Sequence, residues 1–207
     1  MNGLKIYGGP ASRASRTRWC AEELGLDYEA VRVNFADPTS SKTPEYLAIN
    51  PNGKVPAIDD DGFVLWESMA INCYLAKKHA DKGLWPATLQ GEALVLQWSF
   101  WAVAELEKPL LAVLLNSAAA GRPNRSAEAA AEGERAAQRP LAVLDGALAK
   151  PAYLLGPDFT VADLNVTCVV SWGAVGGLKL DGFPHIAKWY AACAERPAAR
   201  RATAPRG

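Results

Sequence analysis

Over the first third of the chain, short alternating apolar runs are interleaved with two helix-period patterns. Leu4-Lys5-Ile6-Tyr7 alternates and is stopped by Gly8-Gly9-Pro10, which predicts a short strand running into a turn. Thr17, Cys20, Ala21 and Leu24 then fall at i, i+3, i+4 and i+7, the buried stripe of a helix that Ser12 or Ser15 caps and Gly25 ends. Glu29, Val31, Val33 and Phe35 alternate with Ala30, Arg32 and Asn34, predicting a second strand. Residues 36–53, rich in Asp, Pro, Ser, Thr and Asn, read as a long, partly helical connection. Val55-Pro56-Ala57-Ile58 and Phe63-Val64-Leu65-Trp66 flank Asp59-Asp60-Asp61-Gly62, a hairpin signal. Glu67-Ser68 opens a helix whose last turn holds Lys77, Lys78 and His79, cations that the helix dipole favours there. A β-α-β unit followed by β-β-α predicts a small mixed sheet with helices on its faces.

From about Gln90 onward the period is helical throughout. One helix runs to Leu115 with Leu94, Trp98, Trp101, Leu106 and Leu110 inward, and Pro109 kinks it or marks its final turns. Ala118 to Arg125 is a loop, and Ser126 to Lys150 an Ala-rich helix kinked at Pro140. Thr160-Val161-Ala162-Asp163 resembles a capping box ahead of a stretch to Val175 that is apolar nearly all round, the pattern of a central buried helix. A last helix carries Ile186, Trp189, Tyr190 and Cys193, and the polar tail after Arg196-Pro197 is expected to fray. The expected division is residues 1–79, a linker over 80–90, and an all-α domain over 91–207.

Composition narrows the function. Lys+Arg and Asp+Glu both count 22 in 207 residues, so the chain lacks the basic surplus that phosphate neutralisation demands. No apolar run approaches the roughly 20 residues of a membrane helix, and the N-terminus lacks a signal-peptide layout. Cys20, Cys73, Cys168 and Cys193 are scattered without a CxxC pair, which favours reduced cysteines in the cytoplasm and no metal site. With His79 and His185 as the only histidines, a Ser-His-Asp triad is hard to assemble.

Four segments could carry chemistry. Ser12, Ser15, Arg13 and Arg16 sit at a strand-to-helix turn, where free N–H groups suit an anion and a hydroxyl can donate to a thiolate. Taken alone, that segment reads as an ordinary cap beside solvated arginines. Lys54-Val55-Pro56 is either an edge position or a cis-proline turn offering backbone to an extended peptide. Glu67-Ser68 is a helix cap, or a carboxylate and hydroxyl pair that grips the zwitterionic end of an amino acid. Lys42 is a loop lysine or a carboxylate ligand.

In this order and spacing the segments resemble the cytosolic glutathione transferases, of bacterial, serine type. The resemblance spans the chain. Its most specific parts are Glu22-Glu23-Leu24-Gly25-Leu26-Asp27-Tyr28-Glu29, Asn50-Pro51-Asn52-Gly53-Lys54-Val55-Pro56-Ala57, Glu67-Ser68-Met69-Ala70-Ile71, Phe159-Thr160-Val161-Ala162-Asp163 and Phe183-Pro184-His185-Ile186-Ala187-Lys188-Trp189. It implies a thioredoxin-like α/β N-terminal domain that binds glutathione and an all-α helical C-terminal domain that takes the electrophile. Pro56 is then the cis proline, Val55 pairs with the cysteinyl residue of glutathione, Glu67 and Ser68 hold the γ-glutamyl end, and Lys42 and Lys54 meet the glycyl carboxylate. Ser12 faces the sulfur, with Ser15 as runner-up. Trp101, Glu105 and Trp172 contribute to the electrophile wall. A cytoplasmic homodimer active in detoxification is implied, with glutathione as co-substrate and neither metal, nucleic acid nor membrane involved. The same scaffold also serves glutathione-dependent peroxidases, reductases and dehalogenases, and non-catalytic binding modules.

Overall fold

The computed structural model describes residues 3–204, Pro38 without its side chain. They form two compact units, one running up to Trp85 and resuming at Arg196, the other spanning Pro86–Glu195.

The first unit is built on four strands, β1 (Leu4–Tyr7), β2 (Glu29–Val31), β3 (Ala57–Asp60) and β4 (Phe63–Trp66), in the order β2-β1-β3-β4. β1 pairs parallel with β2, reached through helix α1 (Ala14–Glu23), and antiparallel with β3. The β3–β4 hairpin turns through Asp61-Gly62, both with positive φ, the conformation that matches the twist of the strands. β2 stops at Val31 rather than continuing to Phe35. Val33 is buried, but Phe35 is 54 % exposed, so the alternation that predicted a longer strand is not matched by a sheet neighbour. Between β2 and β3 lie two short helices, α2 (Pro38–Ser41) and α3 (Pro44–Ile49), the latter capped by Thr43, whose hydroxyl accepts from Tyr46 N–H. Helix α4 (Ser68–Lys78) follows β4.

Over its described residues, up to Ala204, the tail is not frayed. Helix α10 (Pro197–Thr203) lies on α1 and buries Ala198 and Ala202. Arg196 makes two hydrogen bonds of 2.7 Å to Glu23, and Arg201 Nε donates to Glu22 at 2.7 Å. The expected boundary therefore moves. The α/β unit reaches Trp85 and recovers the chain's last turns, because alanines spaced by four give α10 an apolar edge that the polar composition hides.

The second unit is helical: α5 (Leu89–Trp101), α6 (Glu107–Asn116), α7 (Ala127–Ala147), α8 (Val161–Val175) and α9 (Pro184–Ala194). α5 and α6 are joined by a π-helical turn, Ala102–Leu106. Pro109, in the first turn of α6, has no N–H for the Glu105 carbonyl and its ring crowds that group, so the ladder widens just before the proline. α7 runs through Pro140. No helix among the described residues is long and apolar enough to cross a membrane.

α8 is buried on every side from Val161 to Val170, and its N-terminus carries the expected capping box. Asp163 accepts from Thr160 N–H at 3.0 Å, Leu154 N–H at 2.8 Å and Trp189 Nε1 at 2.9 Å. Burial pushes the Asp163 carboxyl up, against the pull of those donors, which places a costly group where it ties α8 to α9 and to the segment before α8. Replacing Asp163 by Ala strands three donors in the interior, and the variant is expected to lose about 3 kcal/mol of stability, read as a lower urea midpoint at unchanged slope.

Candidate glutathione site

The site is assembled where β1 ends. Gly8 has φ +116°, and a Cβ there would stand 2.8 Å from both the Ala14 and the Val55 Cβ atoms, so only glycine lets the strand exit between α1 and the loop before β3. Beneath that crossing Tyr7, Val33, Tyr46, Val55 and Ala57 form one apolar cluster, with the Tyr7 and Tyr46 rings 5.9 Å apart.

Ser12 lies in the turn that follows. Its hydroxyl donates to the Gly9 carbonyl at 2.7 Å and accepts from Ala14 N–H at 3.2 Å, so Ser12 stands just ahead of α1 with its oxygen on the helix's free amides. Ser15 lies inside α1 and its hydroxyl donates back to the Ser12 carbonyl at 2.9 Å. Ser12 lines a cleft of about 470 Å³, together with Gly8, Gly9, Arg18 and residues 30–35; Ser15 does not.

The Val55-Pro56 peptide is cis. The Val55 N–H and C=O stand outside strand β3, which begins at Ala57. The carbonyl of Lys54 is held from behind by two donors, Tyr46 Oη at 2.6 Å and Asn50 Nδ2 at 2.7 Å. Burial pushes the Tyr46 phenol up to about 12, so it remains a donor. Lys42 and Lys54 are both exposed, and the Lys42 ammonium donates to the Asn52 carbonyl at 2.8 Å. Tyr46 was not singled out from the sequence, and Asn50 entered there only as the first residue of the Asn50–Ala57 motif. Tyr46 lies in α3 and Asn50 is its C-cap, directly before the Gly53 turn, and this spacing of four across a helix end is the signal that could have found them.

Glu67 precedes α4 with φ +75°, a strained backbone for a residue bearing a Cβ, and its side chain is exposed. Ser68 is buried at the first position of α4, and its Oγ accepts from Arg16 Nη1 at 3.4 Å. The Asn72 amide donates to the Arg16 carbonyl, also at 3.4 Å. The first turns of α1 and α4 are thereby tied side by side around a cation that is 2 % exposed, and two positive helix ends share one neighbourhood. Ser12, Val55, Pro56 and Ser68 are thus linked through Gly8, Ala14 and Arg16, while Lys42 and Lys54 present exposed side chains on the segment that leads to Val55.

Trp101, Glu105 and Trp172 are in the helical unit. Trp101 is half-buried and meets Trp98 edge-on at 5.2 Å, Glu105 is exposed on the π-helical turn, and Trp172 is half-buried on α8, which packs against that turn.

Family models match on both sides of the chain: the glutathione S-transferase N-terminal domain over residues 2–77 and its C-terminal domain over 102–197. The chain belongs to the glutathione S-transferase family. Similar proteins include glutathione S-transferase 3 of Zea mays, 34% identical over 99% of this chain and 95% of that one, and glutathione S-transferase 1 of the same plant, 32% identical over 99% and 97%. A crystal structure of a theta class glutathione S-transferase from Xanthomonas axonopodis pv. citri, with glutathione bound, superposes with a TM-score of 0.88 at 30% identity, covering 100% of this chain and 99% of that one. The thioredoxin-like sheet followed by a helical unit is the family's architecture.

The doubly held Lys54 carbonyl gives a test within the site. Tyr46→Phe removes one donor and leaves Asn50, and is expected to lower stability by about 1 kcal/mol in chemical denaturation.

Proposed function

We propose that the chain is a serine-type glutathione transferase in which Ser12 stabilises the glutathione thiolate for attack on an electrophile. The observation that carries the reading is the Arg16–Ser68 contact, which sets the N-termini of α1 and α4 together beside the Ser12 turn. Glutathione bears a carboxylate at each end and a thiol between them, so two aligned helix ends and a buried guanidinium suit it as a ligand. Ser68 and Glu67 take the γ-glutamyl end, the Val55 backbone pairs with the cysteinyl residue beside Pro56, and Lys42 and Lys54 take the glycyl carboxylate.

A free thiol has a pKa of about 8.5 and is mostly protonated at neutral pH. Ser12 has one hydroxyl proton. Turning it from the Gly9 carbonyl to the sulfur, while its oxygen stays on Ala14 N–H, favours the thiolate at about 1.4 kcal/mol for each unit of lowered pKa. The thiol proton goes to solvent. The thiolate then attacks the electrophilic carbon, the C–S bond forms, and the leaving group departs with its electron pair. Trp101, Glu105 and Trp172, in the helical unit, are the side chains assigned to the electrophile.

The working form is a homodimer in the cytoplasm. An exposed apolar stripe supports the dimer: Leu89 (78 % exposed), Leu96, Phe100 (71 %) and Val103 follow one face of α5 and the turn after it. Phe63, Val64 and Trp66 are exposed on β4, an edge strand of the sheet.

With 1-chloro-2,4-dinitrobenzene as electrophile, Ser12→Ala is expected to lower kcat by about 10²-fold and to raise the pKa of bound glutathione, read from thiolate absorbance. A larger loss in Ser15→Ala would transfer the role to Ser15, and unchanged turnover in both would sink the hydroxyl mechanism. Phe100→Glu is expected to convert the dimer to monomer in size-exclusion chromatography with light scattering, and a dimer that persists at micromolar concentration speaks against the α5 stripe.

A further inference from the structure

α10 closes a ring of polar contacts whose innermost member reaches the Ser12 cleft. Arg201 Nε donates to Glu22 Oε2 at 2.7 Å, and Tyr28 Oη donates to Glu22 Oε1 at 3.3 Å. Arg18 Nε donates to Tyr28 Oη at 3.3 Å, and Arg18 Nη2 donates to the Ala204 carbonyl at 2.9 Å. The helix that begins after Arg196 thus holds the network at both ends, through Arg201 and through Ala204. Arg18 is 2 % exposed, yet it bounds the cleft that Ser12 lines. Of the twelve residues lining that cleft, Arg18 and Arg32 are charged and none is acidic, while Val31, Val33 and Phe35 supply apolar wall.

We propose that Arg18 determines the charge class of the electrophile, favouring one that carries a carboxylate on an apolar body, and that α10 is the element that positions Arg18 for it. The inference rests on the glutathione chemistry assigned to Ser12. A guanidinium screened from bulk water and fixed by two hydrogen bonds is pre-organised for an anion, and the surrounding apolar wall strengthens the attraction. Tyr28 and Glu22 act through Arg18 and are positioning residues. Arg201, whose side chain is 55 % exposed, anchors them from α10.

The test compares two electrophiles that differ by a carboxylate, 4-chloro-3,5-dinitrobenzoate and 2-chloro-1,3-dinitrobenzene, each conjugated with loss of chloride. The quantity read is the ratio of their kcat/KM values. Arg18→Met is expected to lower that ratio about tenfold, through KM for the benzoate, with partial rescue in Arg18→Lys. Arg201→Met, a surface change, is expected to move the ratio the same way by about threefold. Equal losses for both electrophiles in both variants would mean that the network only stiffens α1 and would overturn the proposal, as would an unchanged ratio. If the wild-type protein conjugates neither compound, the glutathione reading fails separately. Calorimetric titration with unreactive 3,5-dinitrobenzoate then decides the role of Arg18: weaker binding in Arg18→Met supports it, and equal binding overturns it.

Discussion

The exit of β1 leaves room for a hydrogen atom where any other residue would carry a side chain. Gly8 passes between Ala14 on α1 and Val55 before the cis proline, and a methyl group there would meet both at 2.8 Å. That close approach brings the hydroxyl-bearing turn and the cis-proline loop together, although Ala14 and Val55 are more than 40 residues apart in the chain and share no strand. The apolar cluster of Tyr7, Val33, Tyr46, Val55 and Ala57 backs the crossing, so the geometry of the site depends on packing directly below it.

The interior polar groups follow one design in both units. An acceptor that would be expensive to bury is met by two or more donors from outside its own immediate segment. The Lys54 carbonyl receives Tyr46 and Asn50, and the Asp163 carboxylate receives Thr160, Leu154 and Trp189. Each is costly to break and specific in direction, which suits a loop and a helix end whose positions matter more than their own propensities. Glu67, held at φ +75°, is the complementary case, a strained backbone next to the buried Ser68.

Much of this is legible in the amino-acid sequence. Alternation and turn residues located β1, the hairpin and the cap of α8, because those signals are local: each is read over four to eight residues. The capping box at Thr160 and Asp163 was visible for the same reason. What stayed hidden was non-local. Nothing in Val33 or Phe35 says that β2 loses its neighbour after Val31, and nothing in an Ala/Arg-rich tail says that Ala198 and Ala202 will be covered by α1. The ion pairs of Arg196 and Arg201 join residues more than 170 positions apart, beyond any pattern of spacing. Asn50 opened a motif already singled out and Tyr46 lay four residues outside it, but the role of both depends on where the Lys54 carbonyl points.

The placement of α10 makes the α/β unit discontinuous in sequence: its sheet is encoded in the first 66 residues, while the helix that braces α1 comes after the whole helical unit. During synthesis the sheet and α1 emerge more than a hundred residues ahead of Arg196 and Arg201, leaving the carboxylates of Glu22 and Glu23 to wait for those partners. The N-terminal unit of this chain is therefore the first to start folding and among the last to be finished. The helical unit is translated in full before the brace exists.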